Sequence, residues 1–458
     1  MAEHNLLTQE TLLKLLDKKK YIVLRDFLAE MNPVDIAMIF EDIPEDRLPL
    51  LFRLLPKEVA ADTFVEMESE AQEILIRGFS DWELREVLDE LYVDDAVDIV
   101  EEMPANVVRR ILDQADPEMR KQINEILRYP ENSAGSIMTT EYVALRPDMT
   151  VEDAITRIRR TGIDKETIYT CYVTVGRKLV GLVTVKDLLL CQDDDELISN
   201  IMTENVISVT TLEDEEDVAQ LFSKYDFLAL PVVDTENRLV GIVTFDDAMD
   251  VMESEATEDM EIMAAMSPSE KPYMRSSVFS IWKNRIPWLL LLMVSATFTG
   301  MILNHFEAAL STQIVLTTFI PMLMDTAGNS GSQTSVTVIR GLSLGEIELK
   351  DLPKVLWKEC RVALLCGLTL AAAVFVKMLL VDRWMMGGAD VTIAVILTVC
   401  VTMAVTILLA KLVGGTLPIV AERLGFDPAV MASPFITTIV DALALLVYFR
   451  VATLLLPM

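Results

Sequence analysis

An aspartate, Asp441, sits in the middle of an apolar run, Thr437-Thr-Ile-Val-Asp-Ala-Leu-Ala444. A carboxylate at the centre of a membrane span costs about 2.5–3.5 kcal/mol on insertion scales, so it is expected to face a pore or a partner. A second polar feature, Asp325-Thr-Ala-Gly-Asn-Ser-Gly-Ser-Gln333, interrupts another apolar stretch. Its oxygens suit hard cations such as magnesium, which prefer carboxylate, carbonyl and water ligands. The competing readings are a hydrogen-bonded packing role for Asp441 and close helix packing for the glycines. A third feature is a run with eight acids and no base from Asp246 to Glu261. Asp247, Asp250 and Glu258 fall near one face at helical spacing. Like charges so placed oppose a lone helix, so a cation is expected there; a solvated linker helix is the plainer alternative.

The elements that must carry these groups divide by charge. Residues 1–275 hold 60 acidic and 27 basic residues, and residues 276–458 hold 11 and 12. The first part reads as a soluble anionic body and the second as lipid-embedded. The anionic balance argues against nucleic acid as a partner. Five cysteines without a Cys-x-x-Cys pair, and only two histidines, argue against a thiolate or imidazole metal site. Met1 to Lys20 is polar and amphipathic, so no signal peptide is expected.

Five apolar stretches follow Lys283, approximately 286–303, 308–324, 362–381, 391–413 and 429–456. Each approaches the ~20 residues that cross a bilayer as a helix. The second is expected to break near Asp325, where freed carbonyls would line a water-filled path. Lys283, Arg285, Arg340, Lys350, Lys354, Lys358 and Arg361 flank one side of the spans. This bias places the N-terminus and residues 1–275 in the cytoplasm and the C-terminus outside. Lys377 and Lys411 read as lying near span ends.

The soluble part holds two repeats. Met31-Asn-Pro-Val-Asp-Ile-Ala-Met-Ile-Phe-Glu-Asp-Ile-Pro44 matches Leu91-Tyr-Val-Asp-Asp-Ala-Val-Asp-Ile-Val-Glu-Glu-Met-Pro104, which suggests stacked helix pairs. Further on, Ile137-Met-Thr-Thr and Ile201-Met-Thr-Glu open two units. Val180-Gly-Leu-Val-Thr-Val-Lys-Asp187 and Val240-Gly-Ile-Val-Thr-Phe-Asp-Asp247 close them. These units resemble a tandem pair of CBS domains. That resemblance makes ATP a candidate regulatory ligand, with Asp187 toward ribose, Lys186 toward phosphate, and Tyr169 and Phe227 toward adenine. Asp246 replaces the basic neighbour in the second unit. An unliganded, structural CBS pair stays open as the alternative.

Taken together, the chain resembles the MgtE family of magnesium channels over its whole length. The most specific segments are Gly328-Asn-Ser-Gly-Ser-Gln333, Arg340-Gly-Leu-Ser-Leu-Gly-Glu346, Asp427-Pro-Ala429 and Thr437-Thr438 with Asp441. Ala327 stands where the family usually has a glycine. The resemblance implies a multidomain α+β membrane protein, not an enzyme. Its parts would be an α-helical superhelical N domain (1–130), CBS units (131–199 and 200–250), an acidic plug helix (251–275, its acidic run beginning at 246) and a five-helix transmembrane domain (276–458). It implies a homodimer in a bacterial-type plasma membrane that imports magnesium down its gradient. Asp441 would hold a hydrated ion with help from Asn329, Ser433 and Thr437. Asp427 would share an ion with the plug helix. Cytoplasmic magnesium would bridge Asp95, Asp214, Glu216, Asp226, Asp247, Asp250, Glu255 and Glu258 and close the pore. Which of Asp94, Asp95 and Asp98 takes part stays open. A route for other divalent ions (cobalt, nickel, manganese), a CBS-regulated transporter of another solute, and an anchored sensor are the rival readings. No Walker A pattern supports an ATP-driven pump.

Overall fold

The computed structural model describes residues 11–456 apart from 42, 270–272, 275 and 389; the side chains of 164, 308–310 and 433 are also outside the description. The chain forms two compact units, 1–252 and 253–458.

In the first unit, short helices from Tyr21 to Ile126 alternate with tight turns. Both copies of the sequence repeat start helices after an extended residue. Asn32 caps Pro33–Phe40 by accepting from the Val34 amide, and Tyr92 precedes α1 (Val93–Glu102). Their apolar faces bury Ile36, Phe40, Val93, Val97 and Val100 in one continuous core. The CBS repeats become two three-stranded sheets of the same topology. In the first, β1 (Ala144–Leu145) runs parallel to β2 (Thr170–Val175), which pairs antiparallel with β3 (Lys178–Thr184). In the second, β4 (Val209–Thr210), β5 (Ala229–Val233) and β6 (Leu239–Thr244) repeat the pattern. The helix α2 (Glu215–Tyr225) lies between β4 and β5. Each third strand ends at a threonine that hydrogen-bonds an aspartate three residues on, reciprocally, as a capping box, in the first CBS unit. Thr184 and Asp187 form one such box, and Thr244 donates both its amide and its hydroxyl to Asp247. Capping of this kind contributes about 1 kcal/mol. It also fixes both aspartates at helix starts.

The last helix begun in this unit, α3 (Phe245–Met263), carries the acidic run without a break. Propensity alone would not hold so many like charges together. The buried Ala248 and Val251 tie its beginning to the core.

The second unit is helical: α4 (Val278–His305), α5 (Ile320–Ser343), α6 (Leu352–Lys377), α7 (Ile393–Arg423) and α8 (Ser433–Leu455). Among the described residues, four segments are long and apolar enough to cross a membrane: Val278–His305, Leu349–Met385, Ile393–Arg423 and Pro428–Leu455. The fifth long helix, α5, differs from the sequence expectation. The stretch 308–324 is divided among a short helix, a 3-10 turn (Ile314–Phe319) and the start of α5. The chain does not break at Asp325; the whole glycine run is helical. Its carbonyls therefore serve the helix, and only its side chains are offered outward. Packing supplies the reason. A Cβ on Gly414 of α7 would collide with the Gly331 carbonyl oxygen and lie 3.3 Å from the Ser335 amide nitrogen. Glycine at both positions lets the two backbones touch, and the contact holds α5 helical despite its poor propensity. Several threonines within the helices are satisfied locally. Thr398, Thr402 and Thr406 each donate to the carbonyl four residues back.

Candidate functional site

Two groups of acids stand out, one in each unit. In the second unit Asp441 lies on α8 beside the glycine run of α5. A Cβ built on Gly328 would sit 3.1 Å from Thr437 Cγ2 and 3.6 Å from Asp441 Oδ1. The absence of a side chain at Gly328 thus leaves room for the carboxylate. Along α5, Asp325, Asn329 and Gln333 recur at four-residue spacing, and all three are exposed on the single chain. A polar stripe on a span is incompatible with hydrocarbon and requires water or another protein surface. The exposed stripe and the half-buried Asp441 make a row of oxygen donors of the kind hard cations prefer. Thr437 donates its hydroxyl to the Pro434 carbonyl at 3.0 Å, which leaves its lone pairs available. The side chain of Ser433 falls outside the described residues.

At the end of α5, Ile262 and Met263 from the end of α3 pack against Ile339, Ala429 and Ala432. The last two belong to the turn before α8, which Asp427 caps by accepting from the Ala429 amide at 2.7 Å. The last residues of the acidic helix therefore pack on the helices of the second unit through apolar contacts. Glu255 and Glu258 are half-buried on that helix.

In the first unit, Asp94 on α1, Glu141 before β1 and Glu166 before β2 each bring a carboxylate oxygen within 4.8 Å of the others. Asp94 is only 8% exposed. Its Oδ1 and Glu166 Oε2 are buried without a hydrogen-bond partner. Burial, and next the negative charge of Asp247, hold the Asp94 carboxyl well above the usual range. The same two causes, burial first, push Asp95 up to about 7. Burial followed by the charges of Asp95 and Asp247 pushes Glu166 up to about 8. Burial also pushes Asp247 up to about 6, against the opposing hydrogen bonds from Thr244. Asp98, more open to solvent, is raised by burial and by Asp247 as well. Such crowding is costly in the ionised state unless a cation enters.

Of the three N-domain candidates Asp94 is the most buried, and the negative charge of Asp247 acts on all three. Sequence reasoning missed Glu141 and Glu166. Both lie in loops with no spacing signal; the only hint was their place just before the first unit's strands. Asp250 lies near enough to Glu66 to raise its carboxyl, after burial. Asp214 caps α2 by accepting from the Glu216 amide at 3.0 Å. Asp226 ends that helix in a left-handed conformation, φ 55°. Both are exposed and are not joined to the Asp94 cluster by any contact among the described residues. At the first CBS unit, Tyr169 is 66% exposed, and Lys186 and Asp187 are exposed just after Val185, whose amide donates to the Tyr169 carbonyl at 3.0 Å. Phe227 stacks on Tyr225 with ring centroids 5.4 Å apart.

One more polar contact escaped the sequence reading. Lys411 is not near a span end; it lies well within α7, 6% exposed, paired with Glu359 and Thr334. Burial of a lysine there is possible because neighbouring helices supply both partners.

A bundle of apolar helices with acids turned to a polar stripe, joined to a CBS pair and an acidic helix, defines a multi-pass membrane transporter for cations. The family profiles agree segment by segment. A divalent cation transporter profile matches residues 320–451, an MgtE intracellular N domain profile matches 31–132, and CBS profiles match 134–193 and 198–254. The chain is 37% identical over 438 residues to the magnesium transporter MgtE of Thermus thermophilus, covering 94% of this chain and 95% of that one. It is 32% identical over 453 residues to the MgtE of Bacillus subtilis, covering 98% of each. The cytosolic domain of an Mg2+ channel MgtE, solved in complex with ATP, superposes with a TM-score of 0.51 at 38% identity, covering 53% of this chain and 99% of that one. The chain belongs to the MgtE family.

Proposed function

We propose that this protein conducts magnesium across a membrane and that cytoplasmic magnesium closes it. The observation that carries the reading is the polar stripe of Asp325, Asn329 and Gln333 beside Asp441, on the outside of a single chain's helix bundle. A second copy facing this stripe would enclose it, so the pore belongs between two subunits of a homodimer. Asp441 from each copy would bind the hydrated ion, with Asn329, Thr437 and Ser433 near its shell. Magnesium gives up water reluctantly, so a carboxylate pair reading a hydrated ion is a physically sensible filter. Two charges entering an inside-negative membrane gain about 4.6 kcal/mol per 100 mV, so no hydrolysis is needed.

The basic residues flanking the spans support a cytoplasmic location for residues 1–275 in a bacterial-type plasma membrane. There the Asp94–Glu141–Glu166 cluster, with Asp95 and Asp247, would sense magnesium. Asp214, Glu216, Asp226, Asp250, Glu255, Glu258 and Asp427 would hold further ions. Ions that bind only the compact state would need to supply about 5.5 kcal/mol to move the gate from mostly open to mostly closed. Several ions share that load readily. ATP at Tyr169, Lys186, Asp187 and Phe227 would be regulatory. The relatives named as magnesium transporters, and a cytosolic domain solved with ATP, support both readings.

The test is flux into proteoliposomes with magnesium varied separately on each side. Wild type should take up magnesium, and Asp441→Ala should lose at least about tenfold while staying folded, given the differential affinity a pore carboxylate must supply. Normal uptake by that variant would remove Asp441 from the pore. Equal uptake of cobalt, nickel or manganese would favour the broader divalent reading.

A further inference from the structure

The proposed pathway makes no use of the one lysine of the helix bundle that is buried among the described residues. Lys411 Nζ on α7 donates to Thr334 Oγ1 on α5 at 3.1 Å and lies 3.6 Å from Glu359 Oε2 on α6. Thr334 Oγ1 in turn donates to that same Glu359 oxygen at 2.9 Å. The lysine and glutamate side chains are 7% and 15% exposed. Three helices therefore meet at one threonine, which accepts from a cation and donates to an anion.

The position of this triad along α5 matters. One turn before Thr334 is Gly331, whose missing Cβ would lie 2.9 Å from Ile436 Cγ2 and 3.2 Å from the Ala410 carbonyl oxygen. A further turn back is Gly328, the glycine that makes room for Asp441 and Thr437. The six residues from Thr334 to Gly328 span about 9 Å of helix. On the next residue, Ser335 Oγ donates to the Met431 carbonyl oxygen at 2.6 Å, ahead of α8. A small rotation or slide of α5 would break the triad and shift the backbone beside Asp441 together.

We propose that the Lys411–Glu359–Thr334 triad is a positioning device that fixes the register of α5 and thereby the spacing of the ion-binding groups around Asp441. An apolar trio would fill the same space without any charge to desolvate, so stability alone does not favour an ion pair there. What a pair adds is direction: Lys411 on α7 and Glu359 on α6 both bond Thr334, the one member on α5, so a shifted α5 carries the threonine away and leaves a buried lysine and a buried glutamate each short of a hydrogen bond within the membrane spans. The glycine contact permits close approach of α5 and α7 but tolerates sliding. The charged triad does not.

The inference rests on the magnesium-transport reading, and the experiment separates the two. Wild type, Lys411→Met, Glu359→Gln, Lys411→Met with Glu359→Gln, and Lys411→Arg are reconstituted as full-length protein, and magnesium and calcium uptake are measured against concentration. Each single variant should lower magnesium flux on the order of tenfold, move the half-saturating concentration and weaken discrimination against calcium, because it leaves one buried charge unmatched. The neutral double variant should recover most of the flux, and Lys411→Arg should keep both flux and half-saturation. A purely structural pair would reduce the yield of folded protein but leave half-saturation and discrimination of the survivors at wild-type values; that result overturns the proposal. If neither single variant can be purified, the reversed pair Lys411→Glu with Glu359→Lys decides. Wild-type half-saturation supports the proposal, and a displaced value in folded protein overturns it. Absence of magnesium uptake by wild type would instead overturn the transport reading.

Discussion

The acidic cluster of the first unit makes a prediction about pH and magnesium whose sign follows from its surroundings. For Asp95 the carboxyl rises from 3.8 to about 7 on folding, roughly three pH units, or about 4 kcal/mol at about 1.4 kcal/mol per unit. Partial exposure of this side chain screens that figure to about 2 kcal/mol. Glu166, Asp247 and Asp94 move in the same direction. A raised carboxyl value means the folded state holds protons that the unfolded state has released, so stability falls as pH rises. The contribution is complete below about pH 4 and is lost between there and about pH 8. Magnesium should substitute for those protons. At a hundred times its dissociation constant a single ion restores about 2.7 kcal/mol. Metal-free protein in detergent should therefore become steadily easier to digest with protease from pH 5 to pH 8. Magnesium should protect it strongly at pH 8 and hardly at pH 5. Asp94→Asn removes the most buried charge at nearly constant volume. It should raise resistance at pH 8 without magnesium, by about 1–3 kcal/mol in opening free energy, and lose most of the magnesium response. Resistance that is flat or rising with pH, or an unchanged magnesium response in Asp94→Asn, would refute the argument.

Other consequences follow from single contacts. Gly414→Ala places a methyl group on the Gly331 carbonyl and should cost about 1–3 kcal/mol, read as a lower unfolding temperature in detergent. Lys186→Ala should weaken ATP binding about tenfold by titration calorimetry through the loss of a charge-assisted phosphate contact, with magnesium flux in the absence of ATP unchanged. Arg53 bonds Glu83 at 2.6 Å and holds its carboxyl down to about 2. A lowered value contributes stability above about pH 4 that disappears as pH falls toward 2. Arg53→Ala should therefore destabilise the N-terminal helices by about 1 kcal/mol at pH 7 and by less at pH 3, measured by thermal melts.

Much of the fold was legible because its signals are local. The doubled Val-Gly-x-Val-Thr strands ending in a capping threonine determined both CBS sheets, since strand pattern and helix cap lie within ten residues of each other. The apolar helices were legible because lipid imposes length and composition on each span separately. Asp441 stood out for the same reason, as an acid where lipid forbids one. The break expected at Asp325 failed, because glycines were weighed by helix propensity when their effect comes from the facing backbone of α7.

What the sequence determined by itself was therefore everything with a period or a local cost: two repeats, the apolar helices, the acidic run and the lone carboxylate of Asp441 in an apolar helix. What only the tertiary structure decided was which distant charges meet. Glu141 and Glu166 join Asp94 across the first unit, and Lys411 finds Glu359 and Thr334 on two other helices. The energy of a charge depends on its neighbours in space, and along the chain those neighbours lie tens of residues away with no periodic mark to reveal them.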